Sequence, residues 1–512
     1  MAGAAHTFAT KQNTMKSIKF NTEWSSAEEL IAWAEEYAKS RPEELRKGQF
    51  IYNELYPEFD LLIDAIKPYD CFHVDEKIPV FLTSLFNLWE DSRKILPGVL
   101  GTIAGNQKQE TVSEEKTEPH DYKFPSIEIL DRHEEIRQNI QPEEIEEARN
   151  RILKALAAYR TNVESSSLTI GPSVSLLKVR LAPGGNFRKV KTLQDDIALK
   201  TRLKGVRFIT LDDSIGIEFA NPSRCIVPIR ALLESDTYRE SKAELPVAIG
   251  YTIGQRVKVI DLSAAPHILL AGATKQGKSM AVHTLMASLL MSKRPEELKL
   301  VLMDPKGCEF RTYQNIGKQY FAGLPGALGI ENDMIVKDIY RAEKTLESLC
   351  MELEDRLREG RKFPYIVTII DEFADLTMSP DRKRSKSISA SIIRLLQKGK
   401  LAGIHLVLTT QRPSVDVISS NLKSNIPASI AFRTASHIDS MTILDQPGAE
   451  RLIGAGDMLF QQGVETERLQ GGFISNEEII RLTSFIAAQR GFNSPYYLPY
   501  EEAELEYILQ QL

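Results

Sequence analysis

The chain has 512 residues, 42% hydrophobic and 26% charged, with 64 Lys+Arg against 70 Asp+Glu for a formal net charge of −6. That length exceeds one ordinary core and predicts two to four domains. The acidic balance excludes a polycation whose whole surface grips nucleic acid, while leaving room for a local basic channel.

Four scattered cysteines (Cys71, Cys225, Cys308, Cys350) form no CxxC pair and no disulfide framework, which suits a reducing cytosol. No run reaches the roughly 18 apolar residues of a spanning helix; ILPGVLGTIAG, from Ile95 to Gly105, is broken by Pro97 and three glycines. The N-terminus has no apolar run of signal-peptide length. The expectation is a cytoplasmic chain without membrane insertion.

Residues 1–105 read as a helical region. Ser26-Ala27-Glu28-Glu29 is a capping-box pattern, followed by Leu30, Ile31, Trp33, Ala34, Tyr37 and Ala38 on one helical face. A second apolar stretch, Val80 to Trp89, carries no catalytic constellation, so the region reads as a packing module or a docking site for a partner protein. Residues 106–140 read as a linker, because NQKQETVSEEKTEPHDYKFP (106–125) lacks the aliphatics that offset ordering entropy.

Residues 141–244 predict a small α+β domain. A helix with an acidic first turn (PEEIEEARNRILKALAAY) leads into β-like runs at Val174–Leu181, Val206–Thr210, Ile215–Glu218 and Ile226–Ile229, separated by the turn sequences APGG and NPSR. From 245 to 490, apolar runs alternate with helical stretches, the pattern of an α/β domain with a parallel sheet. Candidate strands are His267–Leu270, Leu298–Met303, Ile366–Ile370, His405–Thr409 and Ser429–Phe432. Residues 491–512 read as a tail whose acidic, amphipathic end, YEEAELEYILQQL, is a packing or partner helix.

The chemistry gathers at the strand ends. Gly272-Ala273-Thr274-Lys275-Gln276-Gly277-Lys278-Ser279 satisfies GxxxxGK[ST], with the apolar HILLA before it and a helix, Met280–Met291, after it. Glycines let backbone N–H groups wrap a phosphate chain, Lys278 reaches the β- and γ-phosphates, and the Ser279 hydroxyl ligates Mg²⁺. The cofactors implied are ATP and Mg²⁺, bound by residues 272–280 including Met280.

About 90 residues on, the apolar Ile366–Ile370 ends in Asp371-Glu372. Asp371 is placed to hold the metal, directly or through water, and Glu372 to polarise the attacking water. At the end of LVLTTQRP, Gln411 fits a γ-phosphate sensor. Asp304, in Asp304-Pro305-Lys306, either supports the metal from behind or starts a turn.

Taken together, HILLAGATKQGKS, MDPK, TIIDEFADL, AGIHLVLTTQRPSVDVI, NIPASIAF, IDSMTILDQPGAERLIGAGDML and GGFISNEEI resemble the motor domain of FtsK/SpoIIIE-type DNA translocases over residues 244–490. PSVSLLKVRLAPGGNFRKV extends a weaker resemblance to that family's small α domain, back to about Gln141. The resemblance implies a RecA-like P-loop motor that assembles as a homo-hexameric ring and threads double-stranded DNA by ATP hydrolysis. Lys278, Ser279, Asp371, Glu372 and Gln411 carry the roles above. Pore contacts would come from Gln411–Ile426 and the segment around Ile438–Thr442, with Arg412 and Lys423 at DNA-facing basic positions.

The chain departs from the family at several points. Lys400 stands at the arginine-finger position, giving a point charge in place of a planar fork. A finger arginine is worth about 10³–10⁵ in rate, so turnover is expected to be slow unless Lys398 or Arg394 substitutes. His437 replaces a second trans-acting basic residue, with Arg433 nearby to compensate, and Met441 replaces a basic residue after IDS. The chain is expected to lack the membrane helices and the winged-helix domain of full-length members, because residues 1–140 read as a helical region and linker and only about 22 residues follow the motor-like stretch. Ser379–Lys386, SPDRKRSK, reads as a basic loop, solvated or facing phosphate or a neighbouring subunit. Two further functions stay open: a protein-secretion ATPase of the same family, and a nucleotide-gated scaffold with weak hydrolysis.

Overall fold

The protein is described by a computed structural model over residues 122–132, 141–223, 225–324, 334–492 and 494–500. The predicted helical region 1–105, with its partner site, residues 106–121 and 133–140 of the linker and the helix of the tail lie outside these residues.

Helix α1 (Pro142–Ala158) begins with proline at its first turn, where no N–H is needed, and Glu143 and Glu144 face its positive end. Ile145, Ala148, Ile152, Ala155 and Leu156 recur at helical spacing and are buried. They cover an antiparallel sheet of order β1-β2-β4-β3, made of β1 (Val163–Ile170), β2 (Val174–Leu181), β3 (Arg207–Thr210) and β4 (Ile215–Ala220). Leu177, Val179, Ile215, Ile217 and Phe219 form the inner face of this separate core. Sequence reading missed β1: VESSSLTI is an edge strand, and its half-exposed serines give no alternating apolar signal.

The run Ile226–Ile229, expected as a strand of this domain, is not one. Pro228 makes an isolated bridge to Phe473, and a short helix, Ile229–Leu233, follows at once. Proline lacks the N–H that a ladder requires, so the pairing stops. Val227, Ile229 and Leu232 are buried in the larger core, so this stretch packs with the larger sheet and not with the small one.

The larger body is a nine-stranded sheet of order β6-β5-β14-β13-β12-β7-β11-β10-β8. Its strands are β5 (Pro246–Thr252), β6 (Val257–Asp261), β7 (His267–Ala271), β8 (Leu298–Met303), β10 (Tyr365–Ile370), β11 (Ile404–Thr410), β12 (Ala428–Phe432), β13 (Asp457–Gln462) and β14 (Glu465–Gly471); the two-residue β9 (Ala322–Gly323) lies apart. Pairings β12-β7-β11-β10-β8 are all parallel, as expected of a RecA-like motor, and β13, β14, β5 and β6 extend the sheet antiparallel. Every residue of β7, β10, β11 and β12 is buried, because helices cover both faces. Helices α2 (Lys278–Leu290) and α6 (Asn476–Ala487) pack on one face; α3 (Ile339–Glu359), α4 (Arg382–Lys398) and α5 (His437–Leu444) pack on the other.

Three further expectations are corrected. Residues 122–132 of the predicted linker are packed: Tyr122 and Leu130 are buried, Tyr320 Oη donates to Tyr122 Oη at 2.8 Å, and Arg230 donates to Leu130 O at 2.8 Å. Aromatic and aliphatic anchors placed among polar residues escaped a composition-based reading. The basic loop 379–386 enters α4 instead, where Asp381 caps the helix and Arg384 pairs with Glu343 at 3.3 Å and lies over the Tyr340 ring. The tail begins as a strand, since β15 (Tyr496–Tyr497) runs parallel to β9 and Leu498 is buried.

The two sheets are joined by a buried ionic cluster. Arg468 on β14 donates to Asp457 at 3.0 and 2.7 Å, to Glu218 of β4 at 3.0 Å and to Gly205 O at 3.0 Å, with its side chain 1% exposed. Two carboxylates taken from water hold this guanidinium; removing it leaves Asp457 uncompensated and Glu218 with Arg207 alone, at 3.2 Å. Arg468→Met is therefore expected to lower stability by about 3–5 kcal/mol, read as a drop in the urea midpoint.

Candidate functional site

Two glycines shape the phosphate loop after β7. Gly272 has φ +155°, and a Cβ there would lie 2.7 Å from Phe432 Cβ; Gly277 has φ +121°, and a Cβ would meet Gly456 Cα at 2.8 Å. Only glycine fits such backbone with such neighbours. The loop is pinned from three sides: Gly272 N donates to Thr410 O, Ala273 N to Arg433 O and Gly456 N to Gln276 O, at 3.3, 2.9 and 2.9 Å. Thr274 and Lys275 remain exposed at its tip, and Ser279 and Met280 lie in the first turn of α2. A Gly-rich loop running into a helix N-terminus is an anion cradle.

The acids face this loop from β10. In-register pairing of β10 with β11 sets Ile370 beside Leu408, and one step further brings each acid to a threonine. Lys278 Nζ lies 2.7 Å from Asp371 Oδ1 and donates to Thr409 Oγ1 at 3.0 Å, while Thr409 donates to Asp371 Oδ1 at 2.8 Å. Glu372 has φ 50° and ψ 60°, a left-handed conformation uncommon for a side-chain-bearing residue. That turn directs its buried carboxylate to β11, where it accepts from Thr410 Oγ1 at 2.6 Å and Gln411 N at 2.9 Å. Gln411 thus touches the predicted base through its backbone.

Sequence reading did not assign Thr409, Thr410, Lys306 or Glu309. Lys306 Nζ sits 3.7 Å from both Glu372 and Asp375. Ser279 Oγ donates to Glu309 Oε1 at 2.9 Å. Of the two readings of Asp304, the turn is the one realised: its buried carboxylate accepts from Gly307 N, Glu309 N and Phe310 N at 2.9, 2.7 and 3.2 Å. The signal for the threonines was their place at the end of a strand beside the acid strand, which is informative only once strand order is known.

The donor set fits Mg²⁺ bound together with phosphates. Among the described residues no three His, Cys, Asp or Glu converge to hold a metal by themselves. One hydroxyl (Ser279) and one carboxylate (Asp371), completed by phosphate oxygens, is a hard-oxygen arrangement of the kind Mg²⁺ accepts.

The sequence profile of the FtsK/SpoIIIE family matches residues 228–359 and 357–415, and that of the FtsK alpha domain matches 124–221. DNA translocase FtsK of Haemophilus influenzae is 35% identical over 424 residues, covering 73% of this chain and 76% of that protein. The chain belongs to the FtsK/SpoIIIE family. DNA translocase FtsK of Chlorobaculum tepidum is 36% identical over 412 residues, covering 75% of this chain, and the match spans 50% of that longer protein. Among solved structures, the pCW3 conjugation coupling protein TcpA, monomer form with ATPgS, aligns with 66% of this chain and 99% of its own at 20% identity, with a TM-score of 0.45.

The other positions singled out by the FtsK/SpoIIIE resemblance lie away from this centre. Lys400 precedes β11, with Nζ 3.4 Å from Ala264 O, while the phosphate loop meets the opposite end of that seven-residue strand. Roughly 20 Å of strand separates them, so Lys400 cannot serve its own loop. Arg394 is paired with Glu354 at 2.7 Å, and Lys398 lies 3.7 Å from the same acid. His437 is exposed at the start of α5, and Arg433 lies at the base of its own phosphate loop. Arg412 is 65% exposed, 3.7 Å from Asp375. Lys423 is 17% exposed; its ammonium donates to Met441 O and Thr442 O at 3.3 and 2.8 Å and pairs with Asp445 at 2.8 Å, closing the end of α5.

Burial pulls three imidazoles down, His267 to about 3 and both His283 and His405 to about 4, so all are neutral at neutral pH. The unfolded chain binds these protons below the ordinary histidine value of about 6.5. Stability is therefore full above about pH 6.5 and falls as pH drops towards 4, by up to about 1.4 kcal/mol per unit for each histidine. Urea midpoints across that range are expected to show the slope, reduced in His405→Gln.

Proposed function

We propose that this chain is an ATP-hydrolysing motor that moves double-stranded DNA through a ring of its own copies, six by family resemblance. The observation that carries the reading is the convergence of Lys278, Asp371, Thr409 and Glu372 at one edge of β7, β10 and β11. The relatives' name, DNA translocase, supports the substrate.

In this reading residues 272–280 wrap the phosphates of ATP, and Lys278 turns from Asp371 to the β- and γ-phosphates. Ser279 and Asp371 hold Mg²⁺, which when bound neutralises charge on the transferring phosphoryl group. Glu372, held by Thr410 and Gln411 N, orients the attacking water and takes its proton. Gln411 follows directly on that hydrogen bond and reports loss of the γ-phosphate to the segment after β11. Arg412 supplies phosphate contact, repeated by each copy in the ring. Lys400 acts on the site of a neighbouring copy. No helix among the described residues is long and apolar enough to cross a membrane, and Cys225, Cys308 and Cys350 are free thiols; both support a cytoplasmic location.

The deciding experiment is ATPase rate with and without linear duplex, the oligomeric mass being recorded in the same buffer. Duplex stimulation is expected; Lys278→Ala abolishes it, and Glu372→Gln lowers turnover about 10²–10⁴-fold while nucleotide still binds. Stimulation by a polypeptide in place of duplex would instead favour a secretion motor. A second reading, a nucleotide-gated scaffold with weak hydrolysis, is favoured by the lysine at position 400; rapid duplex-stimulated turnover eliminates it.

The two basic residues are expected to separate. Arg412→Ala weakens duplex binding and lowers the salt slope by about one. Lys423→Ala leaves that slope unchanged and lowers the melting temperature. Equal slopes for wild type and Arg412→Ala would remove Arg412 from the DNA contact.

A further inference from the structure

The hydroxyl of Ser279 is already committed to a partner. It donates to Glu309 Oε1 at 2.9 Å, across 30 residues of sequence. Glu309 is fixed from behind: the buried Asp304 carboxylate accepts its backbone N–H together with those of Gly307 and Phe310, and the Phe310 ring is buried beside it. On its other side, Glu309 Oε2 lies 3.8 Å from Nε2 of His283, which stands one helical turn beyond Ser279 on α2, with Nδ1 3.1 Å from Tyr313 Oη. The carboxylate stays 31% exposed, within reach of water.

A serine hydroxyl has two lone pairs and one hydrogen. When it ligates a cation it offers a lone pair, and its hydrogen must point away from the ion. Asp371 does not take that hydrogen here, because the single hydroxyl hydrogen is donated to Glu309. The Glu309 carboxylate settles where the hydrogen goes, and the lone pairs of the hydroxyl are left for a cation. Such an outer acceptor also makes the ligand oxygen a better donor to the metal.

We infer that Glu309 is the positioning residue for Ser279, accepting the hydroxyl hydrogen so that the oxygen is aimed at the divalent cation of a bound nucleotide. This rests on the Mg²⁺-nucleotide reading of the loop given above.

The test uses the full chain with ATPγS and Mn²⁺ as the spin-active probe, reading free Mn²⁺ by electron paramagnetic resonance and, separately, ATPγS affinity in EDTA. Glu309→Ala is expected to raise the Mn²⁺ dissociation constant about 10–100-fold with metal-free ATPγS affinity unchanged. Glu309→Gln, which keeps an acceptor oxygen at the same reach, restores most of the loss, whereas Glu309→Asp, charged but shorter, does not. In a Ser279→Ala background, Glu309→Ala adds nothing further, because the two residues act as one unit. Mn²⁺ affinity equal to wild type in both Glu309→Ala and Glu309→Asp overturns the inference, as does full additivity with Ser279→Ala. Should Glu309→Ala fail to fold, the Gln and Asp variants decide alone. Failure of the unaltered protein to bind ATPγS would overturn the nucleotide reading and this inference together; binding by wild type with no response at position 309 overturns this inference only.

Discussion

A buried ammonium held 2.7 Å from a buried carboxylate is the interaction on which this site is built. Neither Lys278 nor Asp371 is tolerable alone in the interior, since an unpaired charge there costs several kcal/mol. Thr409 completes the arrangement by accepting from one and donating to the other. The pair couples the phosphate loop after β7 to the acid strand β10 across the intervening β11. Strand order therefore matters as much as residue identity: with β11 between them, Lys278 has room to reach Asp371, and β11 supplies the hydroxyls that organise both acids.

The same register explains the backbone of Glu372. Asp371 and Glu372 are consecutive, so in an extended strand their side chains would point to opposite faces. The left-handed turn at Glu372 breaks that alternation and brings the second carboxylate to Thr410 and Gln411 N. Strain at one residue is thus offset by two hydrogen bonds to the neighbouring strand end. The loop after β8 contributes from the other side, with Asp304 serving as its internal scaffold and Lys306 and Glu309 as its outward charges.

The two ends of β11 divide the labour. Its C-terminal end carries Thr409, Thr410 and Gln411 at the chain's own phosphate loop, whereas Lys400 lies before its first residue. Under the proposed ring, that separation lets one copy bind nucleotide at one end of the strand and address a neighbour from the other. The ionic cluster of Arg468, Asp457 and Glu218 ties the small sheet to the antiparallel extension of the large one, one residue from Gly456, whose N–H holds Gln276 O of the phosphate loop.

Read from residues alone, the α/β class, the phosphate loop at 272–280, the acid pair Asp371-Glu372 and the five parallel strands were legible to within a residue or two. Those features are local: glycine conformational freedom, a continuous apolar run and a fixed motif spacing are written in consecutive positions. What escaped was whatever depends on neighbours distant in sequence. The edge strand Val163–Ile170 has no buried face to imprint a pattern, and Tyr122 and Leu130 are anchors whose pockets come from elsewhere. The acceptors of Lys423 at the end of α5 lie 18 and 19 residues away and are brought to it only by packing. Thr409, Thr410, Lys306 and Glu309 acquire meaning only when strand order sets them against Lys278, Ser279 and the acids. One-dimensional sequence carries each group's chemistry, but a charge's partner is chosen by distance, and distance is decided by the packed chain.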